Sequence, residues 1–194
     1  MIYFARGLYW RVINLYVEYT KYVAVAVQVV YWSYIAFIFR TKGMNPNKSI
    51  SDHVAGKDVR RVFVPLVSAI MIIFAGAILF WLLLNVEAHW TAYLFMSLAL
   101  VSELVTTFIP RQGSSIVVHD ASASLAGLSV LFMYISLAQS AINGFLLGLI
   151  WSVVAVMVIV ALFLTSQARK NYLFYQLAFY LVFNVSVSII MIVV

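Results

Sequence analysis

Glu103 is the residue whose type and position most invite chemistry. It sits in the apolar run WTAYLFMSLALVSELVTTFI, six residues before Ile109. At helical rise that is about 9 Å from the end of the run. A carboxylate at membrane depth is costly, and such groups handle protons, ions or ligands, or serve as hydrogen-bonded struts inside a bundle. Both readings stand for Glu103, which has Ser102 and Thr106 beside it. The second concentration of polar groups is the segment PRQGSSIVVHDASAS, residues 110–124. There Asp120 complements a helix N-terminus, or it joins His119, Arg111 and Glu103 in an acid–base or ligand set. The candidate catalytic residues are therefore Glu103, His119 and Asp120, with His119 as the general base. The candidate ligand-binding residues are Glu103, Arg111, His119, Asp120 and Ser122. Gln139 and Asn184 are single amides in apolar runs, a type that usually ties helices together.

Other chemistries fail on residue type or spacing. Asp52-His53 mirrors His119-Asp120, but the spacing of these groups matches no metal motif, so no metal is expected. A bis-imidazole haem needs two facing histidines, whereas His89 falls at the opposite interface from His119. No cofactor is expected. The setting DASASLAG lacks the Gly-x-Ser-Gly of an intramembrane serine protease, and the last two apolar runs contain no His. With zero cysteines, disulfides, thiolate metal sites and thiol nucleophiles are excluded.

These residues must be held by membrane helices. The 194-residue chain is 65% hydrophobic and 9% charged, with a mean hydropathy of +1.06. A soluble domain is roughly 45–50% apolar and about 25% charged, and a chain of this length cannot bury such an excess. Composition therefore excludes a soluble enzyme, a nucleic-acid-binding domain and a disordered chain. The lipid bilayer is the first partner. Runs of about 20 apolar residues are continuous rather than alternating, which predicts helices and not barrel strands.

The expected fold class is all-α, an integral membrane bundle of six transmembrane helices. The predicted spans are 22–39, 62–86, 90–109, 119–142, 144–165 and 173–194, together forming one domain over 22–194. Pro65 is placed in the first turn of the second span. Residues 1–21 read as a separate amphipathic interfacial helix, because Gly7, Arg11, Asn14, Glu18 and Lys21 share one helical face. The alternative is a polar extension of the first span. There is no signal-peptide pattern, so the first span is expected to act as its own insertion signal.

The net charge of +6 reads as topology. Loops one, three and five carry Arg40, Lys42, Lys48, Lys57, Arg60, Arg61, Arg111, Arg169 and Lys170. The other side has Arg6, Arg11 and Lys21. The positive-inside rule puts the odd loops in the cytoplasm and both termini outside the cell membrane. Small residues repeat at Gly144, Gly148 and Ser152, and at Ala123 and Gly127. Such steps let helices approach closely. They fit packing between neighbouring helices, a partner seam or a substrate crevice.

The order of three features resembles a known family. SISDHVAGKDVRRVF leads into the second span, FIPRQ ends the third, and VVHDASASLAGLSVLF opens the fourth. Over roughly residues 49–130 the chain is similar to the DUF998 family of six-span membrane proteins, distantly similar to the Frag1/DRAM/Sfk1 group. The resemblance implies Ser49 or Ser51, Pro110 and His119 as the matching positions. The loop reads Ser51-Asp52-His53-Val54 where the family has Ser-x-x-Gly, and Ile109 separates Phe108 from Pro110. It implies an architecture and a polar face more than a reaction, with a leaning toward lipid handling.

Three functions remain open from sequence. One is a protein that binds or moves a lipid or small amphiphile through a polar site at the cytoplasmic end of the bundle. Another is a structural or accessory subunit docking through Gly144, Gly148 and Ser152. The third is a membrane enzyme acting on a lipid headgroup.

Overall fold

The computed structural model describes residues 2–140, 144–166 and 170–193, with the backbone alone for 2–18 and 164–166. The described residues are helical or loop, with no strand. We number the helices α1 (Ile2–Lys42), α2 (Ile50–His53), α3 (Lys57–Asn85), α4 (Trp90–Phe108), α5 (Ile116–Ala138), α6 (Gly144–Ser166) and α7 (Tyr172–Val193). Six helical stretches are long and apolar enough to cross a membrane, and they fall on the six predicted runs. The predicted fourth-span end at Ile142 and the loop residue Arg169 lie outside the described residues.

Two expectations are corrected. Residues 1–21 do not form a helix of their own. α1 runs unbroken for 41 residues, and its stretch Tyr19–Lys42 is the spanning part. No Gly or Pro stands between Glu18 and Tyr22 to stop propagation. At helical rise α1 is about 60 Å long, twice the roughly 30 Å hydrocarbon core, so its first half extends beyond the crossing. This is the alternative reading, a continuation of the first span. α1 then stops at Gly43, whose φ of +78° is the left-handed geometry that ends helices. The second correction concerns Pro65. α3 begins at Lys57, before the apolar run itself, so Pro65 lies inside the helix and not in its first turn.

Successive spanning helices pack against each other in chain order, and α1 closes the ring against α7. The two ends of the ring differ. At one end the odd loops meet: Leu173 N–H donates to the Pro46 carbonyl (3.0 Å), Asn171 N–H to Asn47 Oδ1 (3.1 Å) and Ile50 N–H to Gln176 Oε1 (2.9 Å). Arg60 donates to the Phe108 carbonyl at 2.5 Å, placing a cation at the negative C-terminus of α4. At the other end His89 N–H donates to Ser140 Oγ (3.0 Å). The alternation of loops between two ends is what six crossings require.

The apolar core falls into two clusters. One, near the odd-loop end, joins Tyr31, Ile35, Ile38, Phe63, Val67, Ile70 and Leu173 between α1, α3 and α7. The larger joins all six spans around Ile78, Leu82, Met133, Tyr134, Leu137, Ile150, Met157 and Ile190. Here α3 loosens into a π-helical turn, Ile78–Leu82, which packs against α1, α4 and α7. Asn85 Nδ2 donates to the Trp81 carbonyl within this irregular stretch (2.7 Å). The Tyr134 hydroxyl hydrogen-bonds Ser186 Oγ, tying α5 to α7. This cluster closes the ring below the site.

Candidate functional site

A cavity of about 570 Å³ occupies the ring from the odd-loop end down to Phe183 and Asn184. That volume is typical of small-molecule sites. Its mouth is polar because the loops are tied there by their own side chains. Ser49 and Asp52 form a capping box on α2: Asp52 N–H donates to Ser49 Oγ (3.1 Å), and Ser49 N–H donates to Asp52 Oδ2 (2.9 Å). This leaves Asp52 Oδ1 facing Arg111 Nη1 at 3.5 Å. The Arg111 fork closes on Asp120, with Nε to Oδ1 at 2.6 Å and Nη2 to Oδ2 at 2.9 Å. Loop one, loop three and α5 are thus joined through one guanidinium.

The electrostatics follow from that geometry. Burial alone would raise the Asp52 carboxyl. The Ser49 hydrogen bonds and the Arg111 charge outweigh it and hold the pKa below the usual carboxylate value. The hydrogen bond to Asp120 raises the guanidinium further above its already high value, so it stays charged.

Deeper in the cavity stands Glu103. Tyr180 Oη, on α7, donates to its Oε1 at 2.6 Å. Glu103 keeps accessible surface although it lies within the ring, and it lines the cavity. Gln28 on α1 borders the same space. It is 8% exposed, and its amide oxygen has no hydrogen-bond partner among the described residues. Tyr31, Phe74, Phe179 and Phe183 supply aromatic wall, and Gly127 of α5 brings its backbone close to the Phe179 ring (a Cβ there would sit at 3.6 Å). Buried Asn184 also lines the cavity.

Glu103, Arg111 and Asp120 therefore share one cavity. His119 and Ser122 are not among its lining residues. His119 is buried one position away and directs Nδ1 at the Ile109 carbonyl (2.7 Å), so it braces the α4–α5 turn. Neighbours in a helix point about 100° apart, which explains why Asp120 reaches the cavity and His119 does not. Of the positions implied by the family resemblance, Ser49 lines the cavity and caps α2. His53 accepts from Asn45 N–H at Nε2 (3.0 Å) and donates from Nδ1 to the Ser49 carbonyl (2.7 Å), so both ring nitrogens hold the loop. No group of three His, Asp or Glu suited to a metal ion forms among the described residues.

The small-residue steps divide. Ala123 and Gly127 line the cavity, whereas Gly144, Gly148 and Ser152 are exposed on α6, with nothing among the described residues within 4 Å of a Cβ built on either glycine. Packing between neighbouring helices of the chain does not account for that second step. Tyr180, Gln28 and Tyr31 are site residues that sequence reasoning passed over. The available signal was a polar atom in an otherwise apolar run, the criterion that found Glu103 and Asn184. No family model, curated protein or solved structure matches the chain.

Proposed function

We propose that this membrane protein binds a lipid or small amphiphile inside its helix bundle, as a DUF998-like protein of the cell membrane. The odd loops face the cytoplasm in this reading, as the distribution of basic residues favours. The observation that carries it is a cavity that joins a charged mouth (Asp52, Arg111, Asp120) to an apolar, aromatic interior holding the Glu103 carboxyl. A polar end and a greasy body are what an amphiphile presents. A carrier releases the same ligand to a second membrane, so ligand exchange between vesicles separates carriage from binding alone.

The test is occlusion. Ala123 lines the cavity, and Ala123→Trp would project an indole into it. Purified protein is expected to gain thermal stability from a saturating alkyl amphiphile, because a ligand that binds only the folded state stabilises it by mass action. The A123W variant, still helical, is expected to gain less. Equal stabilisation of both proteins, or of neither, contradicts the proposal.

The accessory-subunit reading is favoured by one observation, the outward step of Gly144, Gly148 and Ser152. No described contact favours the headgroup-enzyme reading, since His119 is engaged at the Ile109 carbonyl.

A further inference from the structure

Resting on that binding reading, we infer that the amphiphile carries an ammonium head, and that Glu103 receives it. Three carboxyl groups line the cavity, those of Asp52, Asp120 and Glu103, against one guanidinium, Arg111. Arg111 is already shared by Asp52 and Asp120. Glu103 has no cationic side chain as an ion-pair partner among the described residues, and Tyr180 is its hydrogen-bond donor there. The inner cavity thus lacks a counter-charge for a carboxyl in a low-dielectric setting, where an opposite charge brought by a ligand counts most.

Two further features select the head. Gln28, more than nine-tenths buried at the wall, has an amide oxygen without a donor among the described residues, and an ammonium N–H that reached it would supply one. Tyr31, Phe179, Tyr180 and Phe183 line the space, and an aromatic ring face turned to it attracts a cation. A phosphate or carboxylate head would meet excess negative charge and, among the described lining residues, no free cation. The apolar tail would lie along Met96, Val130 and Leu131.

The experiment compares three probes with one tail and different heads: octylammonium, octanol and octanoate. Binding is measured by thermal stabilisation and by native mass spectrometry of the full chain in phosphatidylcholine nanodiscs. Octylammonium is expected to bind saturably and in preference to the other two. Glu103→Gln keeps an oxygen for Tyr180 and is expected to weaken octylammonium on the order of tenfold, with octanol unchanged as the check on folding. Gln28→Leu is expected to weaken octylammonium in the same direction. Equal binding of all three heads, a preference for octanoate, or undiminished octylammonium binding by E103Q overturns the ammonium inference and leaves amphiphile binding standing. Failure of every probe overturns both. Nanodiscs containing sphingosine, a membrane lipid with an ammonium head and no phosphate, separate the two sources of the head: competition with octylammonium assigns it to a membrane lipid, and absence of competition to a free amine.

Discussion

Tyr180 on α7 donates its hydroxyl to Oε1 of Glu103 on α4, at 2.6 Å and across 77 positions of sequence. This bond gives the deep carboxyl an orientation and joins two helices that are not neighbours around the ring. Hydrogen bonds between membrane helices contribute on average about 0.6 kcal/mol, up to about 1.7. Tyr180→Phe should destabilise the protein within that range, and Glu103→Gln, which retains an acceptor, should cost less. Thermal unfolding of the two variants in one detergent checks the order.

Arg111 should matter more. Its removal leaves Asp52 and Asp120 at the mouth of the cavity without the cation they share. Breaking a fully buried pair costs about 3–5 kcal/mol. The Asp120 side chain is 46% exposed, so the expected loss for Arg111→Ala is smaller, about 1–2 kcal/mol. Arg111→Lys should recover only part of it, because an ammonium cannot match the two-pronged contact with Asp120. Denaturation midpoints of both variants provide the comparison.

Asp52 makes the loop latch pH-dependent. Its pKa is depressed in the folded protein, so its stabilising contribution is present above the unfolded value, about 3.9, and is lost as pH falls through the lower, folded value. Asp52→Asn lacks the charge that Arg111 and Ser49 hold. The melting-temperature difference between wild type and D52N should therefore be largest near neutral pH and shrink as the solution is acidified below about pH 4. A difference that stays constant across this range would mean the latch does not depend on the charge.

Gly148 has open space where a side chain would go. In a helix interior glycine is less favourable than residues with a side chain. Gly148→Leu should therefore be neutral or mildly stabilising, by about 0–1 kcal/mol, with unchanged assembly size by sizing chromatography. A shift to smaller assemblies would instead identify the Gly144–Gly148–Ser152 face as a working seam and favour the accessory-subunit reading.

The helices were legible in the sequence because lipid demands long apolar runs and charges mark their ends. Glu103 stood out for the same reason: one carboxyl in an apolar helix is conspicuous. Its partner did not stand out, since Tyr180 is one of 12 tyrosines and no local spacing links positions 103 and 180. The adjacent pair His119 and Asp120 read as one polar unit, yet a single helical step sends them to different surroundings. The continuation of α1 through residue 21 was hidden by a polar face that resembles an interfacial helix, although the absence of any breaker favoured one long helix.

The most direct test of the cavity uses the chain's lack of cysteine, which makes any introduced thiol unique. Ala99 and Ala123 line the cavity, Ala99 one turn from Glu103, while fully buried Ala92 packs in the core away from it. A membrane-impermeant thiol reagent applied from the odd-loop side should modify Ala99→Cys and Ala123→Cys, spare Ala92→Cys, and be blocked at the first two by a saturating amphiphile. Protection of A99C and A123C is the predicted result. An A99C thiol that reacts no faster than A92C, or one that amphiphiles do not shield, would contradict a ligand cavity reaching Glu103.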